Sequence, residues 1–509
     1  TEAACATSSQ HAMAALDLPG AFGVHMPPFR IPRTMYSENR QRLVERFQQD
    51  QQGAVEGAVL LFKGGVSLTR NDTDHELIFR QESFFSHLFG VLEPDCYATI
   101  EVPSGRTTLF VPRFPQEYAV WMGPIHPPSH FTGKYGVDAT VYTDQVFDFV
   151  REQGLPVHSL FGHNSDSGND GPPKPDFEGS EKLEIDYSIL HTAAVEVRVI
   201  KSEAEIQVLR KINDITSDAH LAVMRSAKPG MFEFQLESLF KHHCYYNGGS
   251  RNVAYTSICG CGPNGAVLHY GHAGAPNDGQ LQDGDMMLLD MGAELNCYCS
   301  DITCSFPCST GGTFNAKQRF IFETVAACQK AVMSSLKPGV EWSSMHELSY
   351  RTTCQRFLEA GLLVGDLEAL MEANVGSYFQ PHGLGHLIGL DTHDVGGYPQ
   401  GAQRDSRAGF KSLRLQRTLA AGMVLTVEPG VYFVDYLLDQ LMTDPRTKAF
   451  AVREKLDEFR GFGGVRLEDS VLITETGMEN LTTCPRTVED VEGVIAGRIT
   501  SRSQLTRLV

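Results

Sequence analysis

The strongest constraint on how this chain can fold is a set of isolated acids in apolar strands of its second half. Residues 286–292 form an apolar strand that reaches Asp290, and residues 297–303 form a second strand with Asp301 inside it. A hairpin about Leu295 and Asn296 would place the two acids directly opposite each other, with Cβ atoms roughly 4.5–5.5 Å apart. Two buried carboxylates this close cannot both ionise at low cost without cations. Taken alone, they could equally be a turn residue and an edge charge.

Two further acids follow the same pattern. Residues 424–430 read as an apolar strand with Glu428 near its end. In residues 464–473, strand alternation places Arg466 and Glu468 on one face. Either acid could instead belong to a structural salt bridge.

Histidines cluster between these acids. His382 and His386 have the spacing of a helical zinc motif, but two interposed glycines favour a loop or strand that aims imidazole into a site. His393 follows seven residues later. A single histidine is usually a satisfied core residue, whereas three so close together among glycines indicate a functional site.

The set of two aspartates, a histidine and two glutamates predicts a metal centre. Four carboxylates carry a charge of −4, which two divalent ions would balance, and this balance allows such a set to be buried. Oxygen-rich ligation with one imidazole suits a hard ion such as Mn²⁺. We therefore predict two divalent ions per subunit, with Mn²⁺ as the favoured metal.

Composition excludes several classes of protein. At 509 residues the chain is long enough for two to four domains, and 42% hydrophobic with 21% charged residues excludes disorder of the whole chain. The net charge of −19 argues against nucleic acid or an anionic membrane surface as a partner. No apolar run reaches 18 residues, so no transmembrane helix is predicted.

The expected compartment is the cytoplasm. Residues 1–20 lack a basic segment followed by an apolar stretch, so they do not resemble a secretory signal. The twelve cysteines lack the paired two-residue spacing of a structural zinc site. We interpret them as buried free thiols of a cytosolic protein.

The predicted fold class is α/β (α+β), in three parts. Residues 1–33 read as a loose arm, residues 34–195 as a mixed α/β domain, and residues 196–509 as the domain that carries the acids and histidines. A helix is predicted over Glu38–Gln52. A capping box of Ser202 and Glu205 predicts the start of a long helix just after the boundary.

The second domain carries a pattern that occurs twice. An amphipathic helix ends at Lys228-Pro229-Gly230, and a second, over Ala316–Leu336, ends at Lys337-Pro338-Gly339. Each is followed by another helical pattern and then by a segment with glycines and histidines. A diverged internal duplication would arrange the two segments around one central cleft with a pseudo-twofold axis. Coincidence also explains the pattern, since Pro-Gly after a helix is common.

These blocks resemble the dinuclear-metal peptidases of the pita-bread fold, the group of methionine aminopeptidase, aminopeptidase P and prolidase. Within that group the chain looks most like the prolidases, the Xaa-Pro dipeptidases. The likeness extends from about residue 38 to residue 490. The blocks that carry it are residues 268–274, 290–292, 300–303, 382–389, 427–430 and 462–468, with residues 79–85 and 121–123 upstream.

The resemblance implies a role for each matching residue. Asp290 would bind one metal ion, His386 and Glu428 the second, and Asp301 and Glu468 would bridge both. Glu428 is also the candidate that moves a proton. His269 and His393 match histidines that contact substrate, and Arg414 matches the arginine that holds the free carboxylate of a C-terminal proline. Without the resemblance, Arg414 could be a solvated arginine in a basic run.

The resemblance implies hydrolysis of Xaa-Pro dipeptides, with C-terminal proline or hydroxyproline, by water activated at the metal ions. It also implies a smaller creatinase-like N-terminal domain and a homodimer in which Trp121 reaches the partner's site. Three alternatives stay open at this point. They are an Xaa-Pro aminopeptidase acting on longer peptides, a non-catalytic scaffold, and creatinase-type hydrolysis without metal.

Overall fold

The computed structural model of the chain describes residues 24–26, 29–51 and 57–507. The elements of the first part, numbered in chain order, are β1 (Val24–Met26), β2 (Phe29–Ile31), α1 (Arg33–Asp50), β3 (Ala58–Lys63), α2 (Ser83–Phe89), β4 (Tyr97–Val102), β5 (Thr107–Val111), α3 (Ala119–Met122), α4 (Pro128–Tyr135), β6 (Ala139–Tyr142), α5 (Val146–Gln153), β7 (Val157–Ser159), β8 (Gly162–His163), β9 (Asp170–Gly171), β10 (Ile185–Asp186) and α6 (Leu190–Val199).

The centre of this part is a six-stranded mixed sheet in the order β10-β7-β3-β4-β5-β6. Leu60 and Phe62 of β3 point to one face, where they join the core formed with α1, α2 and α6. Leu61 points to the opposite face and packs with Val146 and Val150 of α5. This alternation along a strand explains why helices cover both faces of the sheet.

The predicted arm differs from the structure where it can be compared. Residues 1–23 lie outside the described residues. The end of the arm is ordered, because β1 pairs antiparallel with β2 and Ile31 is fully buried. The next helix begins at Arg33 rather than Glu38, since Met35 and Tyr36 extend its buried face by a turn.

The predicted domain boundary at residue 195 falls inside α6. That helix packs on α1, and its Leu190, Ala193 and Val197 belong to the core of the sheet domain. We propose that the division lies instead between α6 and the helix that begins at Glu203.

The second part contains α7 (Glu203–Ser226), α8 (Glu233–Gly248), β11 (Asn252–Val253), β12 (Ile258–Cys261), β13 (Asp285–Asp290), β14 (Ala293–Leu295), β15 (Tyr298–Cys299), β16 (Thr303–Cys308), α9 (Ala316–Met333), α10 (Trp342–Glu359), α11 (Leu367–Glu372), β17 (Val424–Val427), β18 (Gly430–Tyr432), α12 (Asp435–Thr443), α13 (Arg453–Asp457), β19 (Gly464–Arg466), β20 (Asp469–Ile473), β21 (Met478–Asn480) and α14 (Val488–Ile495). Within the described part of the chain, every helix is too short or too polar to cross a lipid bilayer.

The pattern seen twice in the sequence corresponds to two similar runs of elements. α7 packs against α8, and α9 packs against α10, with the two Lys-Pro-Gly triplets in the connections. Gly230 and Gly339 have φ of +88° and +87°, a region open mainly to glycine. Each helix pair is followed by antiparallel strands, β12-β13-β16 in the first run and β17-β20-β21 in the second. The capping box of Ser202 and Glu205 is formed as predicted.

The hairpin between the two aspartates forms in a different register from the predicted one. Asn296 and Cys297 both have positive φ and make the turn, so Asp290 pairs with Thr303 instead of Asp301. Asparagine tolerates the left-handed conformation, which moves the turn one residue along the chain. Asp301 is also not inside a strand, because it lies in the break between β15 and β16.

Candidate metal centre

Asp290 and Asp301 come together at the end of this hairpin although they are not paired. Asp290 is the last residue of β13, and both side chains are buried. Tyr255 Oη lies 2.5 Å from Oδ1 of Asp290 and 2.5 Å from Oδ1 of Asp301. A Cβ on Gly292 would lie 1.9 Å from the backbone oxygen of Ser300, so the chain can double back this tightly only with glycine there.

The second run of elements supplies the other three candidates. His386 runs beside β17, where its N–H donates to Thr426 Oγ1 and its carbonyl accepts from Thr426 N–H. Glu428 directly follows β17. Glu468 lies in a break between β19 and β20, which the sequence had suggested were one strand. Its N–H donates to the carbonyl of Thr303, and this contact joins the two runs.

The five side chains form one cluster, in which Glu428 alone is partly exposed and the other four are buried. Asp301, His386 and Glu468 each offer a ligand atom within 4.8 Å of the others. His386 Nε2 lies 3.4 Å from Asp301 Oδ2 and 3.6 Å from Glu428 Oε1. The shared tyrosine connects Asp290 to the same group. The sequence therefore identified residues that the fold brings together from segments far apart in the chain.

The charges of this cluster call for additional cations. Burial raises the pKa of Asp290 to about 6 and that of Glu428 to about 7, and it raises the pKa of Glu468 well above its ordinary value. Burial would also raise the pKa of Asp301, but the hydrogen bond and charge of His386 outweigh it and lower that pKa. The four carboxylates cannot all ionise with the present partners alone, so the donor set fits divalent ions.

Arg466 is the cation that the chain itself provides. Its guanidinium donates to Asp290 Oδ2 at 2.6 Å, to Tyr432 Oη at 2.7 Å and to Thr303 Oγ1 at 3.0 Å. It also lies 3.9 Å from Glu468 Oε2, as the predicted shared face requires. One arginine thus holds one acid from each run of elements.

A cavity of about 900 Å³ extends from this cluster to a basic end. His269, His393 and Arg414 line it together with the four acids and the histidine of the cluster. The ring of His393 lies 4.5 Å from the ring of His386, centroid to centroid. Burial in the cavity and the positive charge of Arg414 lower the pKa of both His269 and His393. The three side chains therefore share the cavity with the cluster.

Comparison with known proteins identifies the family. The sequence model of metallopeptidase family M24 matches residues 207–475, more than half of the chain. The chain belongs to metallopeptidase family M24. The model of the N-terminal domain of aminopeptidase P matches residues 36–156, inside the mixed-sheet part. The structure combines this N-terminal domain with an M24 pita-bread catalytic domain, as predicted.

This M24 chain is similar to proteins named Xaa-Pro dipeptidase and to proteins named as probable Xaa-Pro aminopeptidases. It is 49% identical to the Xaa-Pro dipeptidase of Homo sapiens, over 92% of this chain and 94% of that one. It is 37% identical to a probable Xaa-Pro aminopeptidase of Podospora anserina, over 86% and 92% of the two chains. Among solved structures it is similar to the low-pH form of Escherichia coli aminopeptidase P, with a TM-score of 0.74, 28% identity, and coverage of 92% and 99%.

Several residues of the M24 site were not identified from the sequence. Tyr255 contacts two of the acids, although it stands alone in a region without apolar periodicity. Arg404 and Asp166 line the basic end of the cavity and are 238 residues apart. The sequence offers two weak indications of these residues. Arg404 lies only ten positions from Arg414, and Asp166 lies in an unusually polar loop.

Replacing Tyr255 with phenylalanine is expected to weaken binding of divalent metal ions by about 10- to 100-fold, because the hydroxyl orients two acids at once. Titration of metal-stripped protein with Mn²⁺ by calorimetry measures this effect. Tyr298→Phe is the matched control, since its buried hydroxyl contacts Glu205 away from the cavity. Unchanged Mn²⁺ affinity in Tyr255→Phe would contradict the orienting role.

Proposed function

We propose that this M24 metallopeptidase is an Xaa-Pro dipeptidase that hydrolyses dipeptides with proline or hydroxyproline at the C-terminus and releases the free imino acid. The observation that carries the proposal is that a carboxylate-rich cluster and Arg414 line one cavity. The relatives of 48–49% identity are named Xaa-Pro dipeptidases, whereas the named aminopeptidases are 35–37% identical.

We infer that Asp290, Asp301, His386, Glu428 and Glu468 hold two divalent ions, with Mn²⁺ favoured by the oxygen-rich donors. Such ions supply Lewis acidity and lower the pKa of water. Glu428 is suited to accept a proton and pass it to the prolyl nitrogen, because its carboxylate lines the cavity beside the other candidate ligands. Its carboxylate lies at the edge of the cavity beside His382, 3.5 Å from Nδ1.

The remaining residues of the cavity would orient the dipeptide. His393 and His269 lie where a neutral imidazole can donate a hydrogen bond to a carbonyl oxygen, and the lowered pKa of each favours the neutral form. Arg414 would bind the carboxylate of the C-terminal residue through charge-assisted hydrogen bonds. This contact favours dipeptides, because a longer peptide has no carboxylate at that point.

We further propose a homodimer and a cytoplasmic location. Val120 and Trp121 are 80% and 81% exposed, and Met122 is 69% exposed, so this short helix presents an apolar surface that a second copy can cover. The eleven cysteines among the described residues are all free, which is typical of a reducing compartment.

Hydrolysis of Gly-Pro and Gly-Pro-Ala by metal-stripped protein, with and without added Mn²⁺, tests the function. Cleavage of Gly-Pro alone, and only with Mn²⁺, is the expected result. Equal cleavage of both peptides would instead favour an Xaa-Pro aminopeptidase. Cleavage of neither peptide with any divalent ion would favour a non-catalytic scaffold.

Replacing Arg414 with glutamine is expected to raise KM for Gly-Pro about 10- to 100-fold, because loss of a charge-assisted hydrogen bond costs about 1.5–3 kcal/mol. Hydrolysis of Gly-Pro amide, which lacks the carboxylate, should change much less. Arg407→Gln is the control, since Arg407 pairs with Asp405 outside the cavity. An equal loss on Gly-Pro and its amide would contradict the carboxylate contact.

A further inference from the structure

The tip of a hairpin from the N-terminal domain lines the cavity beside Arg414. β8 and β9 pair across residues 164–169, and the side chain of Asn164 fixes the tip. Its Oδ1 accepts hydrogen bonds from the N–H groups of Asp166 and Ser167 at 2.9 and 3.1 Å. Asn164 also accepts from Gly168 N–H through its carbonyl. The tip is therefore a defined turn.

Arg404 of the catalytic domain clamps this tip. Its Nη2 donates to the side chain of Asp166 and to the carbonyl of Ser165, the latter at 3.2 Å. Its Nη1 donates to the carbonyl of Leu413 at 2.6 Å, and its guanidinium lies 4.3 Å above the ring of Tyr398. One side chain thus ties the hairpin to the residue that directly precedes Arg414.

Asp166 lies beside Arg414 in the cavity that the acids also line. His386 stands next to His393, and both line the cavity together with Arg414. Asp166 Oδ1 in turn lies 3.8 Å from Arg414 Nη1. The proposed carboxylate-binding arginine is therefore a direct neighbour of the hairpin tip.

A second cavity of about 650 Å³ lies on the other side of the tip. Ser165 and Asp166 line both cavities, and Phe161, His191 and Gln400 line the second one alone. The tip is therefore a wall between two spaces. A peptide chain that continued past Arg414 would meet this wall, although there is room behind it.

We propose that Ser165 and Asp166, held by Arg404, limit substrate length by closing the cavity one residue beyond the scissile bond. The inference rests on the proposed dipeptidase function. It adds that residues of the N-terminal domain block peptides longer than two residues. The side chains exclude a third residue by bulk, and the charge of Asp166 opposes the displaced carboxylate of a longer peptide. Asp166 and Arg404 are specificity residues in this assignment and take no part in the chemical step.

The test compares kcat/KM for Gly-Pro and Gly-Pro-Ala in the Mn²⁺-loaded protein and in the variants Asp166→Ala and Arg404→Ala. Both variants are expected to raise kcat/KM for Gly-Pro-Ala in absolute terms by about tenfold, the size typical of small changes in pocket shape. Asp144→Ala is the matched control, because it removes an exposed ion pair with Arg113 elsewhere in the same domain. The control should leave the preference for Gly-Pro unchanged.

Asp166→Asn keeps the shape of the side chain and removes its charge. If either alanine variant has a much lower Tm than the parent, this variant still tests whether Asp166 limits substrate length. It should increase Gly-Pro-Ala cleavage less than Asp166→Ala does. If the parent protein prefers Gly-Pro and no folded variant has a higher kcat/KM for Gly-Pro-Ala, the proposed barrier is wrong while the dipeptidase function stands. If the parent cleaves both peptides equally, or neither, both proposals are overturned.

Discussion

Replacing Asp301 with asparagine is expected to lower kcat/KM for Gly-Pro by at least about 10³-fold, which corresponds to about 4 kcal/mol of transition-state stabilisation. The carboxylate lies 3.4 Å from His386 and within the group that also includes Glu468. Asparagine has nearly the same shape and can still accept from Tyr255, so the substitution removes charge while preserving packing. The site would then hold divalent ions less tightly.

Steady-state hydrolysis at saturating Mn²⁺, together with the Mn²⁺ content of the purified variant, measures this effect. Asp285→Asn is the matched control, because Asp285 begins the strand that Asp290 ends and lies outside the cavity. It should retain activity within a few fold of the parent. An Asp301→Asn variant that kept more than about a tenth of the parent activity, a loss under about 1.4 kcal/mol, would show that Asp301 is not a ligand.

Replacing Asp394 with asparagine is expected to destabilise the protein by about 3–5 kcal/mol, because it removes the anion shared by two buried cations and leaves Lys201 without its carboxylate partner. Arg198 Nη2 and Lys201 Nζ donate to the two oxygens of Asp394 at 2.5 and 2.7 Å. The side chains of all three residues are only 1% exposed. Water cannot replace the lost charge at this depth.

Thermal unfolding followed by circular dichroism should show a fall in Tm on the order of 10 °C for Asp394→Asn. Asp391→Asn is the comparison, since Asp391 pairs with the same Arg198 but its side chain is 44% exposed. That substitution should cost less than about 1 kcal/mol. Similar losses for the two variants would contradict the role of burial.

The candidate site could be predicted from the sequence because its acids interrupt apolar strands, where an unpaired charge is costly. Asp290, Glu428 and Glu468 stand out for this reason, and all the predicted site residues line one cavity. The register between Asp290 and Asp301 was wrong because it depends on which residue takes the left-handed turn. Asn296 and Cys297 both have positive φ, and the turn that they form contains no glycine that would have marked it in the sequence.

Contacts between distant segments could not be predicted from local patterns. Tyr255 and Arg404 act through partners that lie between 9 and 239 residues away in the chain. β19 and β20 are separated at Glu468, where Glu468 pairs with Thr303. Thr303 belongs to the first run of elements and Glu468 to the second. Propensity and periodicity describe residues that are neighbours along the chain. Contacts between the two runs therefore become visible only in the folded structure.

The division of the centre between the two runs of elements has a consequence for how the protein loses its structure. Asp290 and Asp301 come from the first run, and His386, Glu428 and Glu468 from the second. An ion bound by ligands from both runs would close chain loops on the order of 10² residues. A partly unfolded chain, in which the runs have separated, cannot keep these loops closed. The runs can then separate only if the ion leaves or stays with the ligands of one run. We therefore expect loading to slow unfolding far more than it speeds refolding, and the lifetime of the native state to follow the free metal concentration.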